Sequence, residues 1–115
     1  MQNNSIQIVM SPGPRETCKI VHIKGPLNIH TIFDFQSALR AESAPALIID
    51  LTDVPFIDST GLGALVGAQL AAQKNNRKLA LTSISPQVKA LLDMTNVSQF
   101  FTTYPTIREA EAAVS

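Results

Sequence analysis

The residues with the most chemical potential stand together, as Asp58–Ser59–Thr60–Gly61–Leu62–Gly63. The run follows an apolar stretch and a turn, and it opens a helical pattern. Asp and Ser are strong helix caps, because their side-chain oxygens accept backbone N–H groups of the first turn. Glycine lets backbone or other groups come close. The local role of the run is therefore structural: Asp58 or Ser59 caps the helix, and Gly61 and Gly63 allow close approach. The same geometry also supports chemistry. A hydroxyl at a helix N-terminus faces N–H groups that lack intrahelical partners and the positive end of the helix dipole. A phosphate at that point is stabilised locally and adds about −1.5 to −2 charges. Ser59 is thus the candidate modification site, with Thr60 as a minor alternative.

Other chemistries lack their residues. Gly61, Gly63 and Gly67 imitate a dinucleotide-binding loop, but the third glycine falls one place late. No acid stands about 20 residues further on, where Leu81, Thr82 and Ser83 lie, and no phosphate loop of the G-x-x-x-x-G-K-[ST] form is present. Cys18 is the only thiol and His22 and His30 are the only imidazoles, and they do not fall at structural zinc spacing. His22 reads as a half-exposed strand residue. Hydrolysis by Ser59 requires a base from His22 or His30, and Ser59 is not set in a G-x-S-x-G elbow. Lys74, Arg77 and Lys78 form a small basic patch that complements a helix end. Met94 reads as a packing residue. The expectation is no catalytic residue, no cofactor and no metal.

Composition narrows the partners. The 115 residues carry 9 Lys+Arg and 9 Asp+Glu, a formal net charge of zero, and only 16% charged residues. A neutral chain lacks the basic field that a phosphate backbone needs, so nucleic acid is excluded as the main partner. Aromatics are 5%, with no Trp, which leaves little for base stacking. The single cysteine forbids an internal disulfide. The longest apolar run, around residues 62–72, is interrupted by Gln69 and is too short to insert in a membrane. The expectation is one cytoplasmic domain spanning 1–115, with an ordered core over about 6–114.

The elements that position Ser59 follow from periodicity. Residues 6–10 and 18–24 read as strands of a hairpin around the turn signal Ser11–Pro12–Gly13–Pro14. Residues 30–42 place Ile32, Phe35, Ala38 and Leu39 at helical spacing. Residues 46–51 are apolar on both faces, as in a central strand. A helix follows over 59–74, with a mostly apolar surface and a thin polar stripe through Gln69 and Gln73. Residues 78–82 form another strand. Ser85–Pro86 opens a helix to Met94, with Ser as cap and Pro in the first turn. Phe100–Phe101 reads as a last short strand. Thr106 and Glu109 form a capping box for a final helix with Ile107, Ala110 and Val114 facing inward. The order implies an α/β domain: a mixed sheet of four or five strands packed with about four helices.

With these residues in place the chain resembles the STAS domain, in particular the bacterial anti-sigma factor antagonists. The resemblance rests on Leu47–Ile48–Ile49–Asp50–Leu51 with Val54–Pro55–Phe56–Ile57–Asp58–Ser59–Thr60–Gly61–Leu62–Gly63, and on the helix Ser85–Pro86–Gln87–Val88–Lys89–Ala90–Leu91–Leu92–Asp93–Met94. It covers nearly the whole chain. It implies a binding module, without catalysis of its own, that captures an anti-sigma factor with serine kinase activity and so frees a sigma factor. The kinase phosphorylates the serine after the aspartate, here Ser59, and the phosphoprotein no longer binds. A serine/threonine phosphatase reverses the step. The resemblance places partner contacts on Asn28, Asp58, Ser59, Thr60, Gly61, Leu62 and Gly63. One stretch departs from the family. A loop that often reads G-E-L-D is here Gly25–Pro26–Leu27–Asn28, without either acid. STAS domains also occur as subunits or scaffolds of membrane transport and stress-signalling complexes, and that role without phospho-switching is the alternative expectation.

Overall fold

A computed structural model describes residues 5–114. Among these residues the chain forms five strands and four α-helices, in the order β1 (Gln7–Pro12), β2 (Cys18–Lys24), α1 (Ile32–Ala41), β3 (Ala46–Asp53), α2 (Ser59–Lys74), β4 (Lys78–Thr82), α3 (Pro86–Met94), β5 (Thr102–Tyr104) and α4 (Ile107–Val114). The strands make one sheet in the order β1-β2-β3-β4-β5. β1 runs antiparallel to β2, and the other pairs are parallel, so the sheet is mixed as expected. Each parallel pair is joined through a helix, which brings the ends of β2 and β3 to the same edge.

The sheet has two unequal faces. One buries Val21, Ile23, Leu47, Ile49, Leu79 and Leu81 against Phe35 of α1, Leu62 and Leu65 of α2, and Val88 and Leu92 of α3. The other holds a smaller cluster: Cys18, Ile20, Ala46, Ile48 and Ala110, with Tyr104 and Ile107 against it. β3 is buried on both faces over residues 46–51, which is why its sequence shows no alternation.

Several boundaries differ from the sequence reading. β1 runs through Ser11 and Pro12, because proline is tolerated at an edge strand. The hairpin closes one step later, where the Gly13 N–H donates to the Cys18 carbonyl at 2.9 Å. α1 starts at Ile32, since Asn28 and Thr31 are used in the turn before it. Phe100 and Phe101 are not a strand. A 3₁₀ turn occupies Ser98–Phe100, Phe101 buries its ring in the core, and pairing begins only at Thr102. On α2 the polar stripe is split: Gln73 is exposed as expected, but Gln69 is buried and the apolar Leu70 is exposed. Met94 does not pack; it is 79% exposed. In the last helix the Thr106 hydroxyl accepts the Glu109 N–H at 3.2 Å, and Ala110 is buried as expected. The side chain of Val114 and the N-terminal residues 1–4 lie outside the described residues.

Candidate functional site

Two loops at the ends of β2 and β3 are laced together by their backbones. The Leu27 N–H donates to the Phe56 carbonyl at 3.2 Å, and the Asp58 N–H donates to the Leu27 carbonyl at 3.1 Å. Leu27 and Ile57 form a parallel bridge between them and both are buried. The loop of residues 25–28 therefore lies beside the Ser59 segment, as the resemblance implied.

The start of α2 is built by three residues. Asp58 is the N-cap, with extended backbone, and its Oδ1 accepts the Gly61 N–H at 2.8 Å. Ser59 is then the first helical residue and is exposed. Gly61 is fixed by crowding: a Cβ there would run into the Leu27 carbonyl and the Ile57 side chain. Gly63 is different. A Cβ there meets nothing within 4 Å, so the sequence expectation of close approach holds for Gly61 and fails for Gly63. Leu62 is buried against the core, Thr60 is half-buried, and Gly63 is exposed. Ser59 is the residue of this run that presents a hydroxyl openly to solvent.

Asn28 is turned inward. It is 7% exposed, its Oδ1 accepts the His30 N–H at 2.8 Å, and its own N–H donates to Thr31 Oγ1 at 3.0 Å. The Thr31 hydroxyl donates in turn to the Pro26 carbonyl at 2.8 Å. Asn28 thus shapes the entry to α1, and the exposed residues of this loop are Ile29 and His30. Together with Asp58, Phe56, Asp53 and Lys24, they border an open depression of about 810 Å³ next to Ser59.

The depression carries charges of both signs, Lys24, Asp53 and Asp58, and large apolar side chains are exposed on it and elsewhere on the surface. Ile29 is 64% exposed, Phe33 74%, Phe56 50% and Met94 79%. Phe56 and Met94 line one shallow groove with Leu91. Sequence reasoning assigned none of these side chains to the site. The signal was there for Phe56, a large ring set in a turn between Pro55 and Ile57, where no periodic apolar face claims it. Phe33 and Met94 gave no such signal, because each sits in a helix with an apolar face of its own.

Neither histidine reaches Ser59 by a hydrogen bond among the described residues. His22 instead lies on the other face of the sheet, bonded to Ser11 and Asp50 at 2.9 Å each. Its side chain is 37% exposed, which agrees with the half-exposed strand position read from the sequence. No group of three or more His, Cys, Asp or Glu side chains that could hold a metal ion occurs among the described residues. Cys18 is buried and free, and burial, with the charge of Glu111, pushes its thiol pKa up, so it is a poor nucleophile. Arg77 of the basic patch is spent on structure, donating to the Ala44 and Glu42 carbonyls at 2.9 Å. No helix among the described residues is long and apolar enough to cross a membrane.

Comparison with known proteins matches this geometry. The STAS domain model covers residues 9–110 of the chain. The anti-sigma-B factor antagonist of Staphylococcus epidermidis is 30% identical over 80 residues, 67% of this chain and 74% of that protein. The crystal structure of an anti-sigma factor antagonist from Mycobacterium paratuberculosis superposes with a TM-score of 0.81 at 25% identity, covering 98% of this chain and 97% of that one. The phosphorylated form of the Bacillus cell fate determinant SpoIIAA shares the fold, with a TM-score of 0.70 at 16% identity over 95% of this chain and 100% of that one. The hairpin-led mixed sheet, the capped start of α2 and a family match over nearly the full length place this chain in the STAS domain family.

Proposed function

We propose that the chain is an anti-sigma factor antagonist whose binding is switched by phosphorylation of Ser59. The observation that carries this reading is the position of Ser59. It is exposed, first in α2 and directly after the Asp58 cap, and that cap lines the depression bordered by exposed Phe56 and Ile29. Unmodified, that surface presents exposed apolar side chains among a few charges, Lys24 against Asp53 and Asp58, and is suited to burial against a partner. The partner is an anti-sigma factor with serine kinase activity, and its capture releases a sigma factor. The relatives named anti-sigma-B factor antagonist support the role.

The switch is electrostatic. The kinase transfers the γ-phosphoryl group of ATP to Ser59 Oγ, with loss of the hydroxyl proton and release of ADP. The N-terminal amides of α2 hold the new group in place. Its charge of about −1.5 to −2 must then be desolvated whenever the surface is buried, and along the depression Asp53 and Asp58 outnumber Lys24. Binding is lost until a serine/threonine phosphatase removes the group. Asp58, Thr60, Gly61, Leu62 and Gly63 act in this reading as the frame of the site. Asn28, being buried, contributes by shaping the loop that carries Ile29 and His30.

Incubation with the kinase and ATP, followed by intact-mass measurement, tests the site. One phosphate is expected, and Ser59→Ala abolishes it. Equal labelling of Ser59→Ala overturns the assignment. Ser59→Asp is expected to lose kinase binding, and binding equal to the parent's rules out the charge mechanism.

A further inference from the structure

The face of the sheet opposite α1, α2 and α3 carries a constellation that the Ser59 site does not use. Strands β1, β2 and β3 bring Ser11, His22 and Asp50 into one row. Ser11 Oγ lies 2.9 Å from His22 Nε2, and His22 Nδ1 lies 2.9 Å from Asp50 Oδ2. His22 stands directly opposite Asp50 in the parallel pairing, and Ser11 is one diagonal step away, opposite Ile20. Thr52 anchors the remaining carboxylate oxygen. Its hydroxyl donates to Asp50 Oδ1 at 2.6 Å and its N–H at 3.1 Å.

This network orders the hydrogen bonds. Burial opposes ionisation of Asp50, but the hydrogen bonds from Thr52 and His22 outweigh it and hold the carboxyl below its ordinary value. An ionised Asp50 only accepts, so His22 Nδ1 carries a hydrogen. In the neutral imidazole with that hydrogen on Nδ1, Nε2 has the lone pair that accepts the Ser11 O–H. A hydroxyl, a base within reach and an acid that orients the base are the parts of an activated serine nucleophile. The row is reachable. His22 is 37% exposed at its side chain, its cross-strand neighbour Val9 is 58% exposed, and α4 packs over the β3–β5 side of this face.

We propose that Ser11 is an acyl acceptor for activated esters and thioesters, with His22 as its general base and Asp50 as the positioning residue. Ser11 Oγ attacks the acyl carbon while its proton passes to His22 Nε2. The bond from the acyl carbon to the leaving alkoxide or thiolate breaks, and the leaving group takes the proton from His22. The products are O-acyl-Ser11 and a free alcohol or thiol, with no change of oxidation state. Ser11 lies within strand β1, and the proposed reaction stops at the acyl-Ser11 ester, one acylation per chain.

p-Nitrophenyl acetate on the full chain tests this, read by intact mass and peptide mapping. The expected result is one acetyl group on the peptide carrying Ser11, absent in Ser11→Ala. His22→Gln slows the labelling by at least about tenfold, toward the range of about 10²–10⁴ that a general base contributes. Asp50→Asn slows it as well, and Asp50→Glu restores part of the rate, which a purely structural role for Asp50 would not produce. Acetyl groups confined to lysines or the N-terminus of the parent chain overturn the proposal, whatever the variants do. So does labelling of Ser11 at the parental rate in a folded His22→Gln chain.

Discussion

The two faces of the sheet divide the work of the molecule. The face under α1, α2 and α3 is continuous and apolar, from Val21 and Ile23 through Ile49 to Leu81, and it encloses Phe35 and Leu65 completely. On the opposite face the buried apolar cluster lies where α4 packs, around Ile20, Ile48 and Ala110. Beyond that helix it turns polar, with Ser11, His22, Asp50 and Thr52 in one bonded group. The difference teaches where stability and chemistry reside. The first face removes the most apolar area from water, which dominates folding energy. The second keeps Ser11, His22 and Thr52 at least partly accessible, and the Ser59 segment opens α2, which packs on the first face.

The largest expected effect lies in the covered face. Phe35 is fully buried, so Phe35→Ala should lower unfolding free energy by about 3–5 kcal/mol in urea denaturation. A loss no greater than that of a surface substitution would break the contrast between the faces. Gly61→Ala comes next. Its new methyl meets the Leu27 carbonyl, and overpacking of this kind costs about 1–3 kcal/mol. Asp58→Ala removes the cap on the Gly61 N–H and should cost about 1 kcal/mol by thermal or denaturant unfolding. Gly63→Ala should have the opposite sign. With open space around it, the added methyl should stabilise the helix by about 0.8–1.0 kcal/mol. A destabilised Gly63→Ala chain would show that this glycine is also held by contact.

The smallest effect is confined to acid. Asp50 titrates lower in the folded chain than its ordinary value, whereas an unfolded Asp titrates near about 3.9. Its contribution is therefore complete above that pH and is lost as pH falls through the folded value. Asp50→Asn should make the decline of stability below about pH 4 shallower than in the parent. Unfolding curves measured at several acidic pH values check it, and an unchanged slope would remove Asp50 from the set of groups that favour ionisation.

Legibility varied with the range of the interaction. The helix starts at Ser59 and Pro86 were readable because a cap and its first turn are neighbours in the chain. The central strand was readable because burial on both faces removes alternation. The pair Phe100–Phe101 misled, because an apolar pair looks the same in a strand and in a turn that drops one ring into the core. Gln69 and Leu70 exchanged their expected exposures, since helix α2 is apolar nearly all round and its orientation depends on what packs against it. The role of Asn28 was equally hidden, because its bonds to His30 and Thr31 depend on a turn geometry that no local pattern announces.

By itself the sequence determined the mixed α/β order, the Asp58 cap and Ser59 at the head of a helix, because caps, turns and periodicity act over a few residues. Only the tertiary structure decided that Leu27 would crowd Gly61 and leave Gly63 free, that Phe56 and Met94 would share an exposed groove, and that Ser11, His22 and Asp50 would meet. Those residues lie on separate elements, and strand register and helix docking, which no local spacing encodes, set their distances.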